Sequence, residues 1–171
     1  IVKVFDKGSD KAGPFYSMEF IEGRELSSLT GVYGIHSGKL IKKIAVEILE
    51  TLIYCKELNL HHGHLVSENI LITYHGDSVK LIDFFPGEVN HSDSENSTGD
   101  KQVNIRGHNQ TSDIYAFGII LLQMLTGEKQ NTDYARQRIP ALSGVIAQCL
   151  TNSNKNELLV LSQILKTLRE S

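Results

Sequence analysis

The sequence predicts an α+β fold in which a few short strands precede a body of helices. Three observations carry that expectation. "IVKVFD" and "FYSMEF" are β-branched and aromatic runs on either side of a polar stretch containing glycine. "SGKLIKKIAVEILETLIYCKEL" places Leu40, Ile41, Ile44, Ala45, Ile48, Leu49, Leu52 and Ile53 at three- and four-residue spacing, the period of one helix face. "TSDIYAFGIILLQMLTG" is apolar on every face, so it belongs at the centre of a globular body.

Each element follows from local chemistry. The stretch from Lys7 to Gly13 reads as a hairpin loop of moderate length between the first two runs. "IVKVFD" alternates like a strand from its first residue, which predicts a further segment ahead of Ile1. Ser37 is the expected N-cap of the long amphipathic helix. "NILIT" and "SVKLIDF" form a second, shorter hairpin, with His75-Gly76-Asp77 as its turn. From Gly87 to Gln110 the sequence is polar and without period, and a long mobile loop is expected. Ser112 or Thr111 caps the apolar helix and Gly127 ends it. Two more helices are expected over "IPALSGVIAQCL" and "NELLVLSQILKTLRES".

Composition narrows the classes. With 171 residues the chain suits one compact domain, or most of one. A net charge of -3 gives no electrostatic reason to expect nucleic acid or an anionic membrane as partner. The longest apolar stretch, "YAFGIILLQML", is about half what crosses a bilayer. No basic n-region with a following apolar segment opens the chain, which reads against a secretory signal. Cys55 and Cys149 sit in apolar helical patterns and read as reduced core thiols, so a cytoplasmic setting is expected.

Four motifs in order sharpen the fold. "FYSMEFIEGREL", "HGHLVSENILI", "LIDFF" and "TSDIYAFGIILLQMLTG" resemble the last N-lobe strand and hinge, the catalytic loop, the metal-binding strand end and the central C-lobe helix of a protein kinase. The bacterial-type Ser/Thr kinases are the nearest in flavour. The resemblance covers nearly the whole chain. It implies a protein-kinase-like fold, with residues 1–22 as the end of the N-lobe and the hinge and 23–171 as the C-lobe. It also implies ATP and Mg²⁺ as cofactors. Met18, Glu19 and Ile21 then fall on the hinge, Asn69 and Asp83 at the two Mg²⁺ ligands and the nucleotide, and Asp113 at the Asp that holds the catalytic-loop backbone. The family's Gly-rich loop, strand Lys and helix Glu would all precede Ile1.

The departures matter as much. The family's loop reads His-Arg-Asp-Leu-Lys-Pro-Glu-Asn; here it is His62-Gly63-His64-Leu65-Val66-Ser67-Glu68-Asn69. His64 stands in place of the catalytic Asp, and positioned bases contribute on the order of 10²–10⁴-fold. Val66 replaces the Lys that meets the transferring phosphate, and Gly63 replaces the Arg that anchors a phosphorylated activation loop. Asp-Phe-Gly becomes Asp83-Phe84-Phe85, followed by Pro86. No Ala-Pro-Glu precedes the central helix, and "TNSNKNELL" lacks the Arg that pairs with that Glu in the family. Losing both ends of a buried ion pair leaves no orphan charge.

His61, His62, His64 and His75 suggest zinc, but adjacent residues rarely converge on one ion and no Cys or carboxylate completes a recognisable spacing. "GIHSGKL" misses the P-loop pattern at Tyr33 and Leu40. "NHS", "NST" and "NQT" are accidents of an Asn- and Ser-rich loop. Asp83 can serve simply as a turn cap, and "MEF" as plain strand. The expectation is a degenerate kinase-like domain that binds a protein partner and acts as a regulatory or binding module, with residual ATP affinity. The alternatives are an active, atypical Ser/Thr kinase and a non-kinase helical interaction domain.

Overall fold

In the computed structural model the residues described are 1–74, 78–84, 112–127, 132–151 and 156–170. The turn at His75-Gly76-Asp77, the pair Phe85-Pro86, the irregular stretch 87–110 and most of "TNSNKN" lie outside them.

The chain opens with an antiparallel hairpin, β1 (Val4–Asp10) and β2 (Gly13–Met18). Two expectations are corrected here. The strand begins at Val4 rather than at Ile1, and the loop is only Lys11-Ala12. Asp10 accepts a hydrogen bond from the Ala12 N–H at 2.8 Å, a local turn closure that needs no longer loop. Lys7, Gly8 and Ser9 therefore stay paired across the strands, with the Phe15 ring lying over Gly8.

A second sheet has the order β3-β4-β5, from Gly23–Glu25, Ile70–Thr73 and Val79–Leu81, all antiparallel. β4 and β5 are the expected second hairpin. Ile70 and Ile72 point into the core opposite Leu81 and Val79. β3 was not foreseen: Gly-Arg-Glu carries no apolar signal and pairs only because β4 offers it an edge. Val2 joins the start of the chain to this sheet through its N–H on the Leu81 carbonyl, 3.2 Å away.

The helices are α1 (Leu26–Thr30), α2 (Gly38–Glu57), α3 (Asp113–Thr126), α4 (Thr132–Arg138), α5 (Pro140–Thr151) and α6 (Glu157–Glu170). Ser37 caps α2 as expected, accepting from the Leu40 N–H at 3.2 Å. Ile41, Ile44, Ala45, Ile48, Leu49 and Leu52 form its buried stripe. α3 is capped by Ser112 and ends at Gly127, which takes φ +72° and donates to the Gln123 carbonyl at 2.8 Å. It is buried along nearly its whole length, between α2, α4 and α5. Among the described residues three helices follow it rather than two. α4 escaped notice because its sequence shows little apolar period, although Ala135 is buried and Arg138 donates to the carbonyls of Tyr33, Leu125 and Ile35.

Both cysteines are free and buried, and burial pushes the Cys149 thiol up to about 12. Among the described residues, no helix is long and apolar enough to cross a membrane.

Candidate functional site

The candidate loop begins where α2 stops. Asn59 takes a left-handed conformation (φ +56°), and the Leu60 N–H returns to the Cys55 carbonyl at 2.8 Å, which closes the helix end. The chain then turns under the N-terminus of α3. Asp113 receives the backbone N–H of His62 on one carboxylate oxygen at 2.9 Å and that of Gly63 on the other at 3.0 Å. It is buried in the first turn of the helix, where the dipole favours negative charge. Gly63 has φ +72°, a conformation that costs a residue with a side chain about 1–2 kcal/mol. Glycine at this position thus lets the loop present both N–H groups to one carboxylate.

His62 points inward and is fully buried, its ring stacked 4.4 Å from that of Phe84 at a tilt of 35°. Burial holds its pKa below the ordinary imidazole value, opposed by the charge of Asp113 and by the Ile82 backbone. The Ile82 contact falls short of hydrogen-bond geometry, and neither ring nitrogen has a hydrogen-bonding partner among the described residues.

Beyond Leu65, which is buried in the core, a 3-10 turn at Ser67–Asn69 leads into β4. The Asn69 carbonyl accepts from the Ile82 N–H at 3.0 Å, fixing Asn69 beside the end of β5. Asp83 follows at φ +60°, a left-handed conformation that Asp tolerates better than most residues. The fold thereby brings His64, Asn69 and Asp83 together. His64 Nδ1 lies 2.9 Å from Asp83 Oδ2, and since a carboxylate oxygen accepts, the ring nitrogen carries the proton. Asn69 Nδ2 lies 3.0 Å from the His64 carbonyl oxygen and 3.3 Å from Asp83 Oδ2. Two acceptors on one amide edge identify that edge as the NH₂ group.

Met18, Glu19 and Ile21, the expected hinge residues, come from the end of β2 and the link to β3. Met18 ends β2, and Ile21 is half-buried in the link to β3. Glu19 Oε1 accepts from Lys80 Nζ at 2.9 Å and from the Lys3 N–H at 3.0 Å. The Lys80 hydrogen bond, with help from Lys3, holds the Glu19 carboxyl below its usual value. Because Lys80 is on β5, this contact ties Glu19 to the strand that delivers Asp83. A cavity of about 1410 Å³ runs from Phe15 and Met18 past Asp83 and Phe84 to Asp113 and Glu157.

Not every expected or important residue converges here. The histidine run disperses: His61 turns to Lys56, His62 to Phe84 and His64 to Asp83, and His75 lies outside the described residues. Two contacts had no signal in the sequence. Lys80 reaches Glu19 across 61 positions, and Ser112 reaches Glu157 across 45. Glu157 also pairs with Lys56, whose side chain is 9% exposed. Partial burial would raise the Glu157 carboxyl, but the hydrogen bonds from Lys56 and Ser112 outweigh it and hold it low.

A test of fit to a hard cation turns on Asp83. Mg²⁺ takes oxygen lone pairs at about 2.0–2.1 Å in near-octahedral geometry. Here Asp83 Oδ2 faces two N–H donors, and Asn69 offers Asp83 its nitrogen rather than its oxygen. As arranged, Asp83 Oδ2 and the Asn69 amide do not fit Mg²⁺ together.

A small antiparallel hairpin, a second three-stranded sheet, and a loop held by the buried N-terminus of a central helix define a kinase-like α+β fold. Residues 1–168 match the protein kinase domain family, and the chain belongs to it. It is similar to the serine/threonine-protein kinase PknL of Mycobacterium tuberculosis, 32% identical over 137 residues, covering 74% of this chain and 34% of that protein. It is likewise 30% identical over 137 residues to mitogen-activated protein kinase kinase kinase A of Dictyostelium discoideum, covering 75% of this chain and 14% of that one. The chain spans about a third or less of the length of these curated relatives. Among solved structures, the PknI kinase domain of Mycobacterium tuberculosis superposes with a TM-score of 0.67 at 16% identity, covering 99% of this chain and 70% of that one. That likeness shows the fold.

Proposed function

We propose that this chain is a degenerate protein-kinase-like domain: a regulatory or binding module for a protein partner, with residual ATP affinity and little or no phosphoryl transfer. In this reading residues 1–22 are the end of the N-lobe and the hinge, and residues 23–171 are the C-lobe. The observation that carries it is His64. The family places a carboxylate there to orient the substrate hydroxyl, and this chain places an imidazole whose Nδ1–H is directed at Asp83, 2.9 Å away. Val66, in place of the phosphate-contacting Lys, brings no positive charge to the transferring group.

An active, atypical Ser/Thr kinase is the second reading. It is favoured by the serine/threonine kinases among the relatives. Family membership sets aside a non-kinase helical domain. The deciding measurement is transfer of labelled γ-phosphate from ATP with Mg²⁺ or Mn²⁺ to generic protein substrates. The proposal expects none above background; robust transfer that disappears in Asp83→Ala would make the second reading correct.

A further inference from the structure

The residue that replaces the catalytic Asp also acts on the metal position. Asp83 Oδ2 has two lone pairs to offer, and two donors meet it: His64 Nδ1–H at 2.9 Å and Asn69 Nδ2–H at 3.3 Å. The second N–H of the Asn69 amide goes to the His64 carbonyl at 3.0 Å, which turns the amide oxygen away from Asp83. Three hydrogen bonds therefore close a small ring, His64 to Asp83 to Asn69 and back to His64, tight enough that Asn69 Nδ2 also lies 3.2 Å from His64 Nδ1. Each donor directs a proton at the oxygen where a cation needs an electron pair. The backbone holds both sides in place: Asn69 is fixed by the Ile82 N–H, and His64 follows the two N–H groups clamped by Asp113.

We infer that His64 guards this position against divalent cations, its ring N–H and the Asn69 amide together occupying Asp83 Oδ2 and leaving an ion only the other oxygen of the carboxylate. For an ion to enter between Asn69 and Asp83, the imidazole must leave and the amide must turn over. The inference deepens the proposed function and rests on its assignment of Asn69 and Asp83.

Mn²⁺ added to the labelled protein tests it through paramagnetic broadening of amide NMR signals, with no nucleotide or turnover required. In the wild-type chain the amides of Asn69, Ile82 and Phe84 should stay sharp at Mn²⁺ concentrations that erase them in His64→Ala. The apparent affinity should rise on the order of tenfold, the scale set by residues that orient metal ligands. His64→Asp, which restores the family's carboxylate, should gain at least as much. The side chain of His64 is 47% exposed, so neither replacement opens the core. The inference is overturned if wild-type amides broaden at low Mn²⁺ and Asp83→Asn prevents it. It is equally overturned if His64→Ala gains nothing, because the imidazole would then not be what excludes the ion. Phosphoryl transfer by a protein that shows no Mn²⁺ broadening would overturn the proposed function and leave this inference standing.

Discussion

His62 shows how much one position in a loop can hold. Its ring fills the space between Phe84 and the loop backbone, and burial favours the neutral form. Its folded pKa lies below the ordinary 6.5, so below that pH the unfolded chain takes up a proton that the folded chain resists. The stability it contributes is therefore complete above about 6.5 and is lost as the pH falls towards the lowered folded value. Melting temperatures of the wild type should drop through that window, and His62→Phe should flatten the drop. Identical pH slopes for the two proteins would mean that His62 is not charged on unfolding. His64, two residues away, is legible only in part. Its place relative to Asn69 can be counted along the chain, whereas its hydrogen bond to Asp83 spans 19 positions and needs the two strands between.

At the scale of elements, α3 and α5 show why equal substitutions differ. A Cβ built on Gly118 would lie 2.6 Å from Cys149 Cβ, closer than packed carbons approach, so the two helices meet at this glycine. Gly144, on the exposed side of α5, has nothing within 4 Å of such a Cβ. Gly118→Ala should destabilise by about 1–3 kcal/mol through overpacking, less the gain in helix propensity. Gly144→Ala should stabilise by about 0.5–1 kcal/mol. Denaturant unfolding of both variants reads the signs directly; two changes of the same sign would mean that α5 shifts freely over α3. The long helices were legible because their apolar spacing is local. α4 and β3 were not, since each is held chiefly by partners distant in sequence, the carbonyls around Arg138 and the edge of β4.

Across the whole molecule, the ends of α2, α3 and α6 meet at one polar cluster. Lys56 and Ser112 both reach Glu157, which joins three helices. Removing either end leaves the other partly buried without its partner. A double-mutant cycle of Lys56→Met and Glu157→Gln should give a coupling of about 0.5–1.5 kcal/mol, the lower part of the range for contacting residues, since solvent screens the exposed side of Glu157. Additive effects would show that each helix end is held independently.

The sequence by itself determined the α+β class, the two hairpins, the capped α2 and α3, and the order of motifs that marks the kinase family. These rest on periodicity, capping and turn chemistry, which act within a few residues. Tertiary structure alone decided that Lys80 holds Glu19, that Glu157 gathers Lys56 and Ser112, and that His64 and Asn69 both turn their protons to Asp83. Those contacts depend on directions in space, and a carboxylate takes an ion or a proton according to which group the fold places before it.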